Sequence, residues 1–227
     1  MLGAIRDEFV ERAWDPPAHH WAGAWSGFVG GRDRTAGGTW LAVDRSPGRP
    51  AVAALLNGPR RDAPADGSVR PTRGDLALRV LAGDGLPEGE ALEPYDRFHL
   101  LLATADGQEL WSWDGDALVH VALAPGAHII VNAGLDATDD PLVPHFLPRL
   151  EALAGPGAGS GDWEAWRDLL TGGGFAGDDD RALIVHKEIE GRQYGSTSGA
   201  LVAIAADRTV HYDFTARPAD PTSWEPV

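Results

Sequence analysis

Short apolar runs broken by turn-forming pairs constrain this chain more than any other feature. Residues 39–43 form one such run after the Gly37-Gly38 pair, and 51–56 form another that stops at Asn57-Gly58. Pro47-Gly48 lies in the gap between them and suits a hairpin-type connection. Residues 98–104 and 109–113 flank Asp106-Gly107, the strongest kind of short hairpin signal. The pattern continues through 118–123 and 128–132 around Pro125-Gly126. Near the C-terminus, 200–205 and 209–214 flank Asp207-Arg208. Runs without strict alternation imply strands buried on both faces or set in a sandwich core.

Helical signals are fewer. Thr72-Arg73-Gly74-Asp75 precedes Leu76, Leu78, Val80 and Leu81, the pattern of a capped amphipathic helix. Residues 141–154 are expected to be helical toward their C-terminal end, with Pro144 and Pro148 opposing the rest. Residues 162–170 read as a short helix, with Asp162 as its N-cap and Trp166, Leu169 and Leu170 at helical spacing. Residues 155–161 form a linker-like Gly-rich loop, and 172–180 are Gly-rich and then acidic. Neither loop separates two self-sufficient cores, so one domain over 1–227 is expected. Strands, then helices, then strands imply an α+β or layered α/β/β/α architecture.

Composition narrows the function classes. A chain of 227 residues can bury a full core. No stretch approaches the roughly 20 apolar residues that span a bilayer, and no export signal opens the sequence. The absence of cysteine excludes disulfides, thiolate metal sites and a Cys nucleophile within this sequence, and accords with a cytoplasmic setting. A formal charge of -15 argues against non-specific nucleic-acid binding, which depends on Lys and Arg neutralising phosphates. Lys187 is the only lysine among 19 basic residues, a bias typical of a GC-rich bacterial genome.

Several blocks, in order, resemble the NRDE family, also called the transport and Golgi organisation 2 family. Arg6-Asp7-Glu8-Phe9 and Arg12 match its signature, with Ile5 in place of the signature Asn, and Trp21 resembles the tryptophan that follows. Gly37-Gly38-Thr39-Trp40-Leu41 is the most distinctive match. Ala53 to Asn57, Thr72 to Leu76, and Tyr95 to Leu101 with His99 in place of Asn, continue the series. Pro125-Gly126, Asn132, Leu135-Asp136 and Tyr194 to Ser198 complete it. The resemblance implies an N-terminal nucleophile hydrolase type of scaffold, two stacked sheets between helical layers. In such enzymes the first residue attacks the carbonyl carbon and its α-amino group acts as base. The family's leading Met-Cys strand is not in this sequence, and neither Met1 nor Leu2 has a nucleophilic side chain. The resemblance therefore implies either a C–N amide hydrolase completed by an upstream Cys-bearing strand, or a non-catalytic carrier of haem or of acyl-CoA and lipid. A small-molecule ligand is expected in both cases. A carbohydrate-binding β-protein is suggested only by the nine Trp and the acidity.

Arg6, Asp7 and Glu8 head the candidate catalytic residues. On a strand Arg6 and Glu8 share one face and Asp7 takes the other. They form either a charge network at a strand end or a substrate-orienting group, because buried charges must be paired in both cases. Asn57 and Asn132 each follow an apolar run, and either terminate a turn or donate to an oxyanion. Arg73, Trp40 and Tyr194 are the ligand-binding candidates. Arg73 at a helix start opposes the helix dipole, so it either binds an anionic group, or is simply exposed or paired with Asp75 or Glu8. Trp14, Trp21 and Trp25 line a pocket or fill a core rim. The eight His residues lack metal-ligand spacing, so no metal is expected. His99, His120, His128 and His211 read as hydrogen-bonded packing residues, with haem the one cofactor left open by a His or Tyr ligand. Gly30-Gly31 and Gly37-Gly38 lack phosphate-loop context, which excludes nucleotide binding on that ground.

Overall fold

The strands follow the turn pairs along most of the chain. The computed structural model describes residues 1–61, 69–153 and 163–227. β1 (Leu2–Phe9) and β2 (Trp14–Ala18) precede β3 (Phe28–Asp33), β4 (Leu41–Asp44) and β5 (Ala51–Asn57). α1 (Leu76–Ala82) comes next, then β6 (Phe98–Thr104), β7 (Gln108–Trp113), β8 (Leu118–Ala122), β9 (Ile130–Val131) and β10 (Gly134–Leu135). α2 (Leu142–Ala152) and α3 (Glu164–Leu170) lead into β11 (His186–Ile189), β12 (Arg192–Ile204), β13 (Val210–Thr215) and β14 (Glu225–Pro226). The protein is α+β. None of the helices is long and apolar enough to cross a membrane among the described residues. The linker-like 155–161 segment and the expected Asp162 cap lie outside the described residues. α3 starts after Trp163, which makes no side-chain cap bond.

By its internal contacts the chain divides into two compact units. One comprises Trp14–Pro125 and Ile130–Ala137. Its seven strands form an antiparallel meander in the order β2-β3-β4-β5-β6-β7-β8, and β9 and β10 form a small hairpin. α1 lies on one face. Leu76, Ala77 and Val80 pack there with Ala53, Phe98, Leu100 and Trp113, while Leu78 joins Phe28 and Ala42 beside Trp21 and Trp25. The opposite face buries Leu41, Val43, Val52 and Leu110. Burial of both faces is why these runs are continuously apolar.

The two margins of this sheet differ. β2 carries Pro16 and Pro17 and a register shift against β3 between Asp15 and Ala18. β8 pairs with β7 in unbroken register and exposes Val119 and Val121.

Gly37-Gly38-Thr39-Trp40 folds as a clamp between β3 and β4. Gly37 has φ +78, a conformation that favours glycine. Gly38 lies against the backbone of Gly74 just before α1, and the Thr39 N–H donates to the Gly74 carbonyl at 2.9 Å. Thr39, only 3% exposed, donates its hydroxyl toward the carbonyls of Gly31 and Leu41, both at 2.7 Å. Trp40 lies over Gly31, where no side chain would fit.

The second unit comprises Met1–Ala13, Gly126–Ile129 and Thr138–Val227. Its five-stranded sheet runs β1-β12-β13-β14, with β11 also on β12. α3 covers one face: Trp163, Leu170, Leu201 and Trp224 form the core there, with Ile5 packed against it. Ile5 thus supplies apolar surface where the family signature has Asn. The Arg167 guanidinium bonds the Asp213 carboxylate on β13 at 2.5 Å. α2 forms along its whole length despite Pro144 and Pro148, with Val143 and Phe146 as buried anchors. Pro144 falls in the first turn, where its missing N–H has no intrahelical partner to lose. α1 forms as expected, although Asp75 makes no side-chain cap bond, and Thr72 instead accepts from the Gly74 N–H.

Candidate functional site

β1 brings three consecutive charges alongside β12. Arg6 pairs with Ser198 but Asp7 pairs with Ser196, so Thr197 is an extra residue on β12. Such a bulge re-aims the side chains around it. Arg6 Nη1 donates to Thr197 Oγ1 at 2.8 Å, and the Thr197 hydroxyl lies 3.2 Å from the Arg6 carbonyl. Arg6 is 8% exposed. Its Nη2 stands 3.8 Å from Glu8 Oε2, and Arg12 Nε stands 3.5 Å from the same oxygen. The face-sharing of Arg6 and Glu8 expected from a strand is therefore present.

Asp7 accepts from the Ser196 hydroxyl at 2.6 Å, and Ser196 Oγ accepts from the Val185 N–H at 2.8 Å. Burial holds the Asp7 carboxyl above the ordinary carboxylate range, against the opposing influence of Ser196, Lys187 and Arg6. Tyr194, opposite Phe9 in the register, meets the Phe9 ring edge-on with centroids 5.4 Å apart. Burial, then the negative charges of Asp7 and Glu8, push the Tyr194 phenol up to about 12. Arg192 covers Phe9 at 3.7 Å from the ring centroid and bonds Glu11 at 2.5 Å. This unit thus gathers Arg6, Asp7, Glu8 and Tyr194. Sequence reasoning missed Ser196, Thr197 and Lys187, whose roles depend on the pairing of chain segments far apart in sequence. In chemical terms the site offers a fixed guanidinium fork and a carboxyl whose pKa burial raises.

The sign of the Asp7 shift makes a prediction. The folded state holds this proton more tightly than the unfolded chain. Its contribution to stability is fullest below the ordinary value of 3.8 and is lost as pH rises through the raised value. Asp7→Asn keeps an acceptor for Ser196 and abolishes the buried charge. The melting temperature should rise at neutral pH, and the gain should vanish near about pH 3. Thermal melts at the two pH values check this, and a lower melting temperature at neutral pH would contradict it.

The other candidates fall in the meander unit. Asn57 ends β5 opposite Phe98. The adjoining Gly58 N–H and Arg73 Nη1 both donate to the Arg97 carbonyl, at 2.9 and 2.8 Å. Trp40 meets Trp14 edge-on at 5.8 Å and belongs to the glycine clamp. Trp21 and Trp25 fill the rim of the Phe28 cluster, and Trp21 Nε1 donates to the Gly37 carbonyl at 3.1 Å. Asn132 acts through its main chain: its carbonyl accepts from His99 Nε2 at 3.2 Å. His99 Nδ1 meets Ser112 Oγ at 2.8 Å, so His99 is hydrogen-bonded and buried, as expected. His120 is instead an exposed group, stacked on Trp111 at 4.6 Å and 3.2 Å from Glu109. It differs because it sits on the margin strand, where packing ends. Among the described residues, no group of three or more His, Cys, Asp or Glu is placed to hold a metal ion.

An α+β chain with a charge-bearing, bulged strand pair at its start is the class that fold and site define. Residues 1–151 match the family model for transport and Golgi organisation 2, and the chain belongs to that family. A search of curated proteins found no match.

Proposed function

We propose that the protein is built on an amide-hydrolase scaffold of the N-terminal nucleophile type, with the β1–β12 cluster as the part that holds the substrate. The carrying observation is the Thr197 bulge, which fixes a nearly buried Arg6 beside an Asp7 whose carboxyl pKa is raised by burial. Arg6 would orient the acyl oxygen, because a guanidinium fork binds such oxygens in a fixed geometry. Asp7 would exchange a proton with the reacting group. The nucleophile is the missing part, since the sequence contains no cysteine. A Cys-led strand paired along β1 would supply it. The whole chain then works as one domain on a small-molecule amide in the cytoplasm.

The test compares this protein with a form carrying a Met-Cys-led strand before Leu2, against a panel of chromogenic N-acyl amides. The expected result is turnover only by the Cys-bearing form, reduced about 100-fold by Arg6→Ala in that form. No turnover by either form, together with saturable binding of haem or long-chain acyl-CoA, would replace the hydrolase reading with a carrier.

A further inference from the structure

The meander unit contains a second arrangement with the logic of an activated nucleophile, and it does not depend on the β1–β12 cluster. His99 on β6 and Ser112 on β7 are direct partners in the register, so their side chains project from the same face. That face is the one opposite α1. His99 is 7% exposed and both of its ring nitrogens are engaged. The Asn132 carbonyl can only accept, so the bond at 3.2 Å requires the proton to be on Nε2. In the neutral ring Nδ1 then has no proton. The 2.8 Å contact with Ser112 must therefore be the hydroxyl donating to Nδ1. In the neutral ring the opposite tautomer would set two acceptors, Nε2 and the Asn132 carbonyl, against each other.

We propose that Ser112 is a nucleophilic serine, His99 its general base and the Asn132 carbonyl the group that sets the base's tautomer, forming a site for carboxylic esters. A nucleophile bonded to a base that is itself oriented by a third group is the general signature of this chemistry. Ser112 Oγ bonds to the ester carbonyl carbon while its proton passes to His99 Nδ1. The alkoxide leaving group takes that proton as its bond to the carbon breaks. Water then attacks the acyl-serine with His99 again as base, frees the acid and restores the hydroxyl. Burial keeps the imidazole neutral by lowering its pKa, as a base at neutral pH requires, although the Asn132 bond opposes that shift. Asn132 and Ala133 are exposed, and Gly134, with φ +126, puts no side chain over the ring. A Cβ there would stand 3.8 Å from His99 Cε1, so any larger side chain would crowd the base.

A fluorophosphonate probe tests the assignment on the native protein, with labelled peptides identified by mass spectrometry. The expected result is labelling at Ser112, lost in Ser112→Ala and slowed about 100-fold or more in His99→Gln. The labelling rate should fall as pH drops, with a midpoint below the ordinary histidine value of 6.5. Ser112→Cys gives an independent readout, because it introduces the only thiol in the chain. That thiol should react with iodoacetamide at neutral pH faster than free cysteine, and His99→Gln should abolish the advantage. Near-UV circular dichroism confirms that each variant is folded. A folded protein whose Ser112 takes no label, or whose labelling and thiol reactivity ignore His99, overturns the proposal.

Discussion

Alanine at position 38 is expected to destabilise the meander unit by about 3 kcal/mol, as overpacking against rigid backbone does. In a chain of this size that lowers the melting temperature by about 10 °C. A Cβ on Gly38 would stand 2.5 Å from Gly74 Cα and 2.6 Å from its carbonyl oxygen. Both are main-chain atoms, so no rotamer change relieves the clash. The displaced Gly74 carbonyl is also the acceptor for Thr39, whose hydroxyl in turn holds β3 and β4 together. Gly48→Ala is the control, because nothing lies within 4 Å of its Cβ position. Thermal melts of the two variants should differ by nearly the full shift. A Gly38→Ala protein that melts with the Gly48→Ala control would show that the clamp does not set the spacing of these segments.

The second large effect is expected at Arg6. Truncation to alanine removes the donor to Thr197 and the more buried of the two cations that flank Glu8. Losing the charge-assisted bond of a nearly buried guanidinium costs about 2 kcal/mol. Arg6→Lys keeps the charge but not the fork, and one ammonium cannot reproduce the guanidinium's fixed geometry. It should recover less than half of the loss in denaturant melts. Full recovery by lysine would mean that charge alone, rather than the bond to the bulge residue, holds β1 in register.

The parts of this fold that local chemistry specifies were legible from sequence. Asp106-Gly107 and the flanking apolar runs give β6 and β7 with little error, although the Thr104 N–H donates to the Gly107 carbonyl and the turn itself is Ala105-Asp106. The spacing of Leu76, Leu78 and Val80 likewise gives α1. β1 was harder to recognise. Its core-facing residues include Gly3 and Ile5, but the rest of the strand is dominated by Arg6, Asp7 and Glu8. β11, with His186, Lys187 and Glu188, is a margin strand whose exposure removes the apolar signal. α2 was obscured by its prolines, whose local cost is outweighed by the burial of Val143 and Phe146. At the candidate site, the pairing of Arg6 with Glu8 follows from strand periodicity. Its completion by Ser196 and Thr197 spans about 190 residues of sequence, and only the register of β12 reveals it. Near Asn57 and Asn132 the contacts come from main-chain atoms, the Gly58 N–H and the Asn132 carbonyl, which a sequence motif does not distinguish.

The prolines at the start of the meander carry a consequence of their own. Pro16 and Pro17 are adjacent, so their backbone nitrogens face opposite edges of β2, and one of the two removes a donor from the outward edge. The limit on the sheet's width at that margin is therefore written into covalent structure. Crowding, concentration or a change of solvent can alter what meets β2, but none of them can create a donor there. The first strand of the meander is in this sense also its stop signal, fixed when the chain is synthesised and before any of it has folded.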